Sequence, residues 1–376
     1  MPPHTHKPRV VVLISTAIVG GPAKGLLQVI PELARRGRFQ VVLCTFANRD
    51  DPETPFLEAC RALGIDVTIL RQRFHWDPGP LTVLRALLAP PGSLLQTHGY
   101  KEAVFGVILK RLTGCPWIAF RHGTTEENLK VRLYHRVDRW VSRSADTIVA
   151  VSRELGARTV GARERAKVAI IENAVAGEVV RDPKAGQGLR ARCEARGLVI
   201  GCVGRLSPEK GQNVLLDAAA RLWRQGLLFT LVFVGDGPKR DALMVQAQEA
   251  GIMGSVRFLG QVARMTEVYA ALDLLVLPSF KEGMPNAVLE AMQWRLPIVA
   301  TSVGALPDML VHGVSALLVR PGDALAMARA IAGLAQDPDK ARRMGAKAHA
   351  ALYPRFSLER RVQRFERLYD RLLESA

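Results

Sequence analysis

Two glutamates eight positions apart, Glu282 and Glu290, flank a Gly-Met-Pro turn in the segment SFKEGMPNAVLEAM, residues 279–292. The turn predicts a helix start. Pro285 suits the first helical position, where an N–H would have no partner in any case, and NAVLEAMQW reads as a short amphipathic helix. The opening amides of such a helix carry positive partial charge and suit a phosphate. Glu290 lies roughly a turn and a half further in, near the distance from a nucleotide's diphosphate to its ribose hydroxyls. Glu282 lies on the other side of the turn, where a group beyond the diphosphate would sit. Two solvated glutamates beside a helix start is the plain alternative, and the pair alone does not decide between them.

Two cations offer related chemistry. The apolar run LVIGCVG, which includes Gly204, leads straight into Arg205, and LSPEKG then brings Lys210. Both leave the carboxyl end of a predicted strand, where an open α/β sheet binds its ligand. There they can neutralise a departing diphosphate without a metal. Asp337-Pro338-Asp339 has the D-x-D form of a metal-binding triplet, but it falls between two predicted helices and reads as a helix stop and N-cap. No metal site is expected.

These residues need a scaffold, and the rest of the chain supplies one. Strands are expected at 9–14, 39–44, 65–69, 93–97, 116–120 and 146–150, with helices between them at 22–36, 101–113 and 126–143. The second half repeats the alternation, with strands at 198–203, 228–234, 255–259, 273–277, 296–300 and 315–319. Alternation of this kind implies parallel sheets covered on both faces. The polar, basic stretch 181–197 is the expected break. The organisation read from it is a first Rossmann-like domain at 1–185, a second at 186–355, and a final amphipathic helix within 356–376.

At 376 residues and 48% hydrophobic, the chain can bury two full cores. Its net charge of +17 favours polyanionic or phosphorylated partners and does not choose among them. Five scattered cysteines, with no C-x-x-C pair, fit reduced thiols in a cytoplasm. Lys7 and Arg9 ahead of VVVLISTAIVGGPA could mimic a signal peptide, but the β-branched content favours a buried first strand. No apolar run reaches the ~20 residues of a membrane span.

The order of motifs in the second half resembles the retaining glycosyltransferases of family 4, which carry an E-x7-E motif. G-R-L-x-x-x-K-G with LLDAAARL behind it, VFVGDGP, VRFLGQV, DLLVLPS, PIVATSVGALPDML and GVSALLVRPGD follow one another as they do in that family, over residues 198–340. The resemblance implies the GT-B fold: two doubly wound Rossmann-like parallel-sheet domains facing a central cleft, with the last helix crossing back to the first domain. It implies transfer of a sugar from a nucleotide diphosphate sugar, a UDP-sugar for preference, to an acceptor hydroxyl in polysaccharide, lipopolysaccharide or glycolipid assembly. On this reading Arg205 and Lys210 stabilise the leaving diphosphate, Glu290 binds the ribose, and Glu282 holds the donor sugar. Gly283, Met284, Pro285 and Asn286 present backbone to sugar and phosphate, and Gly204 and Gly235 line the donor loops. The nucleotide sugar is itself a substrate, so no cofactor is expected. Same-face attack, in which the leaving phosphate takes the acceptor proton, and double displacement both remain open.

The first half matches less tightly. Gly20 and Gly21 fall where family members carry a Gly-Gly pair near the diphosphate, and GGPAKGL does not have the spacing of a P-loop. His122 and His98 end predicted strands. The resemblance assigns His122 to positioning the donor sugar, and Lys101, in HGYK, is available to an anionic acceptor. Arg132, Arg136, Arg139 and Arg143 share one face of the helix expected at 126–143. That face would contact an anionic membrane or a lipid-linked acceptor, or it is simply the outside of a surface helix. The acceptor is a saccharide or lipid-linked saccharide, and the protein is expected in the cytoplasm, at the inner face of the membrane if the basic face docks there. Rival readings are a nucleotide-sugar epimerase, a phosphorylase and a non-catalytic polyanion-binding protein. No nucleic-acid-binding motif supports the last.

Overall fold

Val10 to Ile14 is apolar at every position because both faces of its strand are covered, and Leu274 to Leu277 in the second half shows the same. The computed structural model describes residues 7–48, 53–121, 140–159, 161–179, 182 and 184–375. They form two units, Met1–Ala176 with Leu358–Ala376, and Gly177–Ser357. The division thus falls nine residues ahead of position 186. The polar stretch expected to be a linker instead holds a helix of the second unit, Gln187–Arg192.

The first unit is a seven-stranded sheet of β1 (Arg9–Ile14), β2 (Gln40–Asn48), β3 (Val67–Gln72), β4 (Ser93–His98), β5 (Trp117–Arg121), β6 (Thr147–Ala150) and β7 (Val168–Ile170). Its order is β3-β2-β1-β4-β5-β6-β7, and every pairing is parallel. The direction of winding reverses between β1 and β4, which makes their carboxyl ends the natural binding crevice of this unit. The three-residue β7 has no sequence signature of its own and was not expected. The helix Leu358–Glu374 packs on this sheet: Leu358 N–H donates to Val175 C=O at 3.0 Å, and the Tyr369 hydroxyl donates to Gln96 Oε1 at 2.8 Å.

The second unit is a six-stranded sheet of β8 (Leu198–Val203), β9 (Phe229–Val234), β10 (Val256–Phe258), β11 (Leu274–Leu277), β12 (Ile298–Thr301) and β13 (Leu317–Val319). Its order, β10-β9-β8-β11-β12-β13, is again all parallel and reverses between β8 and β11. Arg205 follows β8 and the glutamate segment follows β11, so the reversal sets the two motifs side by side.

Among the described residues, no helix is long and apolar enough to cross a membrane. All five cysteines are buried free thiols, and burial pushes those of Cys44 and Cys202 up to about 12. Asp337 caps the helix Pro338–Phe356, its Oδ1 accepting from Lys340 N–H at 2.8 Å, so the D-x-D triplet serves a helix start.

Candidate active site

The centre of the second unit's crevice is an ion pair. Lys210 Nζ donates to both oxygens of Glu282, at 2.7 and 2.9 Å, and the Ser279 hydroxyl donates to Glu282 Oε1 at 2.6 Å. The Glu282 side chain is only 4% exposed while that of Lys210 is 25% exposed, so the ammonium is the more accessible partner. The carboxylate is positioned from below. Thr301, at the end of β12, donates its hydroxyl to Ser279 C=O at 2.6 Å. The strand order β8-β11-β12 therefore brings three loops into one hydrogen-bonded chain: Lys210 from the first, Ser279 and Glu282 from the second, Thr301 from the third. Backbone bonds tie the first two loops together as well, since Phe280 N–H donates to Glu209 C=O at 2.8 Å.

The turn after Glu282 is clamped from the loop after β12. Ala305 N–H donates to Gly283 C=O at 3.1 Å, and Gly304 has φ +59 with its α-carbon against Glu282 C=O. A Cβ at 304 would lie 2.3 Å from that oxygen. Gly304→Ala therefore strains both the backbone and the turn. The left-handed conformation alone costs about 1–2 kcal/mol, and the displaced turn adds to it. Urea denaturation measures the sum, and wild-type stability in this variant would show that the turn is free to shift.

The helix Asn286–Gln293 begins one residue later than expected. Pro285 is its N-cap, with φ −75 and ψ 119, and not its first helical residue. Extended ψ at this proline lets the chain turn from Glu282 into the helix. Val288 N–H bonds back to Pro285 C=O at 3.2 Å, which leaves the amides of Asn286 and Ala287 at the open end. Met284 is buried under the turn. Glu290 stands on this helix beside Tyr269, whose phenol is pushed well above its ordinary range by burial and then by the neighbouring carboxylate.

Arg205 is exposed at the carboxyl end of β8, and its carbonyl accepts from Gln212 Nε2 at 2.8 Å. Gly204 and Gly235 end adjacent strands, and a Cβ at Gly235 would meet Gly204 C=O at 2.2 Å. A Cβ at Gly237 would meet Leu206 C=O at 2.3 Å. The close approach that these two glycines permit is thus to the backbone that carries Arg205.

In the first unit, Gly20 caps and Gly21 opens the helix Gly21–Arg36, with Lys24 N–H bonded to Gly20 C=O at 2.9 Å. Lys101 departs from expectation. It is 2% exposed, its ammonium hydrogen-bonded to Gln72 Oε1 and 3.8 Å from the centre of the Phe46 ring. Burial lowers its pKa. It is spent on holding the ends of β2 and β3, and does not reach an acceptor. His98 is likewise buried, stacked on Phe120 at 4.6 Å with its Nε2 2.7 Å from Gln96 Nε2. Beside Lys101, burial pushes the Glu102 carboxyl up to about 7. His122 and Arg132, Arg136 and Arg139 lie outside the described residues. Arg143 is exposed in a short 3₁₀ turn, Ser142–Ser144.

Sequence reasoning passed over Ser279, Thr301, Gly304 and Tyr269. Each lies inside a motif already quoted or next to one, but a hydroxyl at a strand end has meaning only when strand order shows what stands beside it.

The chain is similar to known proteins. A family profile described as "Glycosyltransferase Family 4" matches residues 19–178, and one described as "Glycosyl transferases group 1" matches residues 197–337. The 2-deoxystreptamine glucosyltransferase of Streptomyces kanamyceticus is 30% identical over 275 residues, 66% of this chain and 69% of that protein. This chain belongs to glycosyltransferase family 4. The lipopolysaccharide core biosynthesis mannosyltransferase LpcC of Rhizobium leguminosarum bv. viciae is 28% identical over 278 residues, 72% of this chain and 76% of that protein. The family 4 chain is accordingly an enzyme of the hexosyltransferase type. Its two sheets have the GT-B architecture. The Anabaena protein HepE, solved in complex with UDP-glucose, superposes with a TM-score of 0.83 over 96% of this chain and 99% of that one at 22% identity. A sucrose-phosphate synthase from Thermosynechococcus elongatus gives 0.81 over 98% and 100% at 21% identity.

Proposed function

We propose that this family 4 enzyme is a retaining hexosyltransferase that takes its sugar from a UDP-sugar and gives it to an acceptor hydroxyl in polysaccharide, lipopolysaccharide or glycolipid assembly. The observation that carries the reading is the Lys210–Glu282 ion pair at the carboxyl ends of the paired strands β8 and β11. Exposed Arg205 leaves β8 on the same loop as half-buried Lys210, and the chain beyond Glu282 opens the helix Asn286–Gln293, which carries Glu290. A nucleoside diphosphate sugar has the matching sequence of groups. Its diphosphate lies against Arg205, Lys210 and the helix amides, with Gly204 and Gly235 shaping the loops around it. Glu290 accepts from the ribose hydroxyls. Glu282 accepts from a hydroxyl of the sugar, and Gly283 to Asn286 supply backbone between sugar and phosphate. Breaking the glycosidic bond puts negative charge on the diphosphate, and two cations meet it without a metal or other cofactor.

By the family resemblance alone, Gly20 and Gly21 would serve the diphosphate and His122 the donor sugar. The acceptor is a saccharide or lipid-linked saccharide, as the lipopolysaccharide core relative suggests. The reading places the enzyme in the cytoplasm, where its net charge of +17 would draw it to an anionic membrane surface. The HepE complexes with UDP and UDP-glucose support the choice of uridine.

Thermal unfolding against UDP, GDP, ADP and their sugars tests the donor assignment. A ligand at about 100 times its Kd adds roughly 2.7 kcal/mol and raises the midpoint by several degrees. The expected result is a selective shift with uridine ligands that is lost in Glu290→Ala. No shift with any nucleotide at low salt would reject the donor site, and an equal shift in Glu290→Ala would remove Glu290 from it.

A further inference from the structure

The strand β3 lies at the edge of the first sheet, and the turn that follows it shows aromatic rings to solvent. Phe74 is 55% exposed and Trp76 is 41% exposed, with Ile69 of β3 itself at 43%. His75 stands between the two, its ring edge-on to that of Trp76 at 5.2 Å. Single exposed apolar residues are ordinary, but two large rings on one tight turn call for a reason. The turn is also built to hold its shape. Asp77 is 3% exposed, and its carboxylate accepts from the Arg73 and Gly79 N–H groups at 2.8 Å each and from Arg73 Nε at 3.1 Å. Its own N–H donates to Phe74 C=O at 3.0 Å. Buried Lys101 fixes the start of the turn through Gln72.

The charge around these rings has one sign. From Val67 to Leu88 the chain carries Arg71, Arg73 and Arg85 against Asp77 alone, a net charge of +2. The three arginines are exposed, whereas the aspartate is turned inward. Val83, on the helix Pro80–Leu88 with Arg85, is exposed as well. Aromatic tips beside cations suit a lipid–water boundary, where rings enter the headgroup region and guanidinium groups meet lipid phosphates. A stable protein partner would need about 800 Å² from each side, more than one turn offers. A lipid surface asks only for apolar tips and positive charge, and the net charge of +17 supplies the long-range attraction.

We propose that the turn Arg73–Trp76, with Arg71 beside it, is a membrane-docking surface that seats Phe74 and Trp76 among the headgroups of an anionic bilayer. The proposal rests on the reading of an enzyme drawn to an anionic membrane and gives that contact a place, and it is independent of the donor assignment. The turn leaves the carboxyl end of β3, the same end of the sheet as the crevice between β1 and β4. Docking there brings lipid to the end of the first unit where a ligand binds.

Sedimentation of the full chain with vesicles of phosphatidylglycerol and phosphatidylcholine in equal parts, against phosphatidylcholine alone, tests it. Wild type is expected to partition onto the anionic vesicles. Phe74→Ser with Trp76→Ser is expected to lower the partition coefficient about tenfold or more, because each ring takes roughly half of its surface out of water on docking. Arg71→Gln lowers it severalfold, and that loss fades as salt rises. Equal partition of wild type and the double variant overturns the proposal and leaves the general charge attraction standing. No partition of wild type onto either vesicle overturns both. Should the double variant fail to fold, quenching of tryptophan fluorescence by brominated phosphatidylcholine in the anionic vesicles keeps the test with conservative variants. Trp76, Trp140 and Trp223 are exposed, and Trp117 and Trp294 are buried. Quenching is expected to be lost in Trp76→Phe and kept in Trp140→Phe and Trp223→Phe. Undiminished quenching in Trp76→Phe puts the contact elsewhere and overturns the proposal.

Discussion

Replacing Arg205 and Lys210 together with alanine is expected to lower kcat/KM by more than about two orders of magnitude, a loss above ~3 kcal/mol of transition-state stabilisation. The reason is electrostatic. A diphosphate gains charge as the glycosidic bond stretches, and these two cations stand at the carboxyl end of β8, where that charge develops in the proposed reaction. Arg205 is exposed and offers a planar fork to phosphate oxygens. Lys210 is held in place by both oxygens of Glu282 before any ligand arrives. Its ammonium is therefore pre-positioned, which avoids reorganisation when the bond breaks. The single variants do not sum to the double, because the two cations act on one group. Lys210→Ala has a second effect, since among the described residues it leaves a nearly buried carboxylate with the Ser279 hydroxyl as its one hydrogen-bond partner. Urea denaturation of each variant separates that structural loss from the catalytic one. The assay is UDP release from the donor selected by thermal shift, and near-wild-type turnover in the double variant would refute the metal-free leaving-group model.

What the sequence made legible follows from how local each signal is. The buried strands were readable because a parallel sheet covered on both faces favours long apolar runs, and Val10 to Ile14 or Leu231 to Val234 show nothing else. The short edge strand β7 was missed, although β10 and β13, of the same three-residue length, were expected within the longer stretches 255–259 and 315–319. The Lys210–Glu282 pair was half legible. Both residues stood out, but as separate contributors to phosphate and sugar, and only the adjacency of β8 and β11 shows that they bind each other. Thr301 and Ser279 were illegible for the same reason, since their importance lies in one hydrogen bond between two loops. Lys101 was misread because a lysine after a strand is ordinarily solvated. The Phe46 ring and the Gln72 amide that enclose it lie on other strands, 55 and 29 residues away in sequence. Pro285 was misplaced by one position, a small shift that moves the free amides to Asn286 and Ala287.

Glu282→Ala is expected to lower kcat roughly 10²-fold while leaving UDP affinity unchanged or slightly higher. The two halves of this result have one cause. In the proposed complex Glu282 reaches the sugar and not the diphosphate, so its loss removes an interaction with the group being transferred. The same substitution releases Lys210 from a salt bridge of 2.7 Å and makes its ammonium fully available to phosphate. Glu282→Gln separates charge from shape. Its carbonyl oxygen still accepts from Ser279, but it no longer neutralises Lys210 or accepts a sugar hydroxyl with a full negative charge. It should therefore fall between wild type and alanine in kcat and should bind UDP as alanine does. Calorimetric titration of UDP into the three proteins, beside initial rates at saturating donor, gives both numbers. Normal turnover in Glu282→Ala would remove the residue from the site. Weakened UDP binding with kcat intact would place the carboxylate on the nucleotide side of the turn and reverse the assignment of the two glutamates.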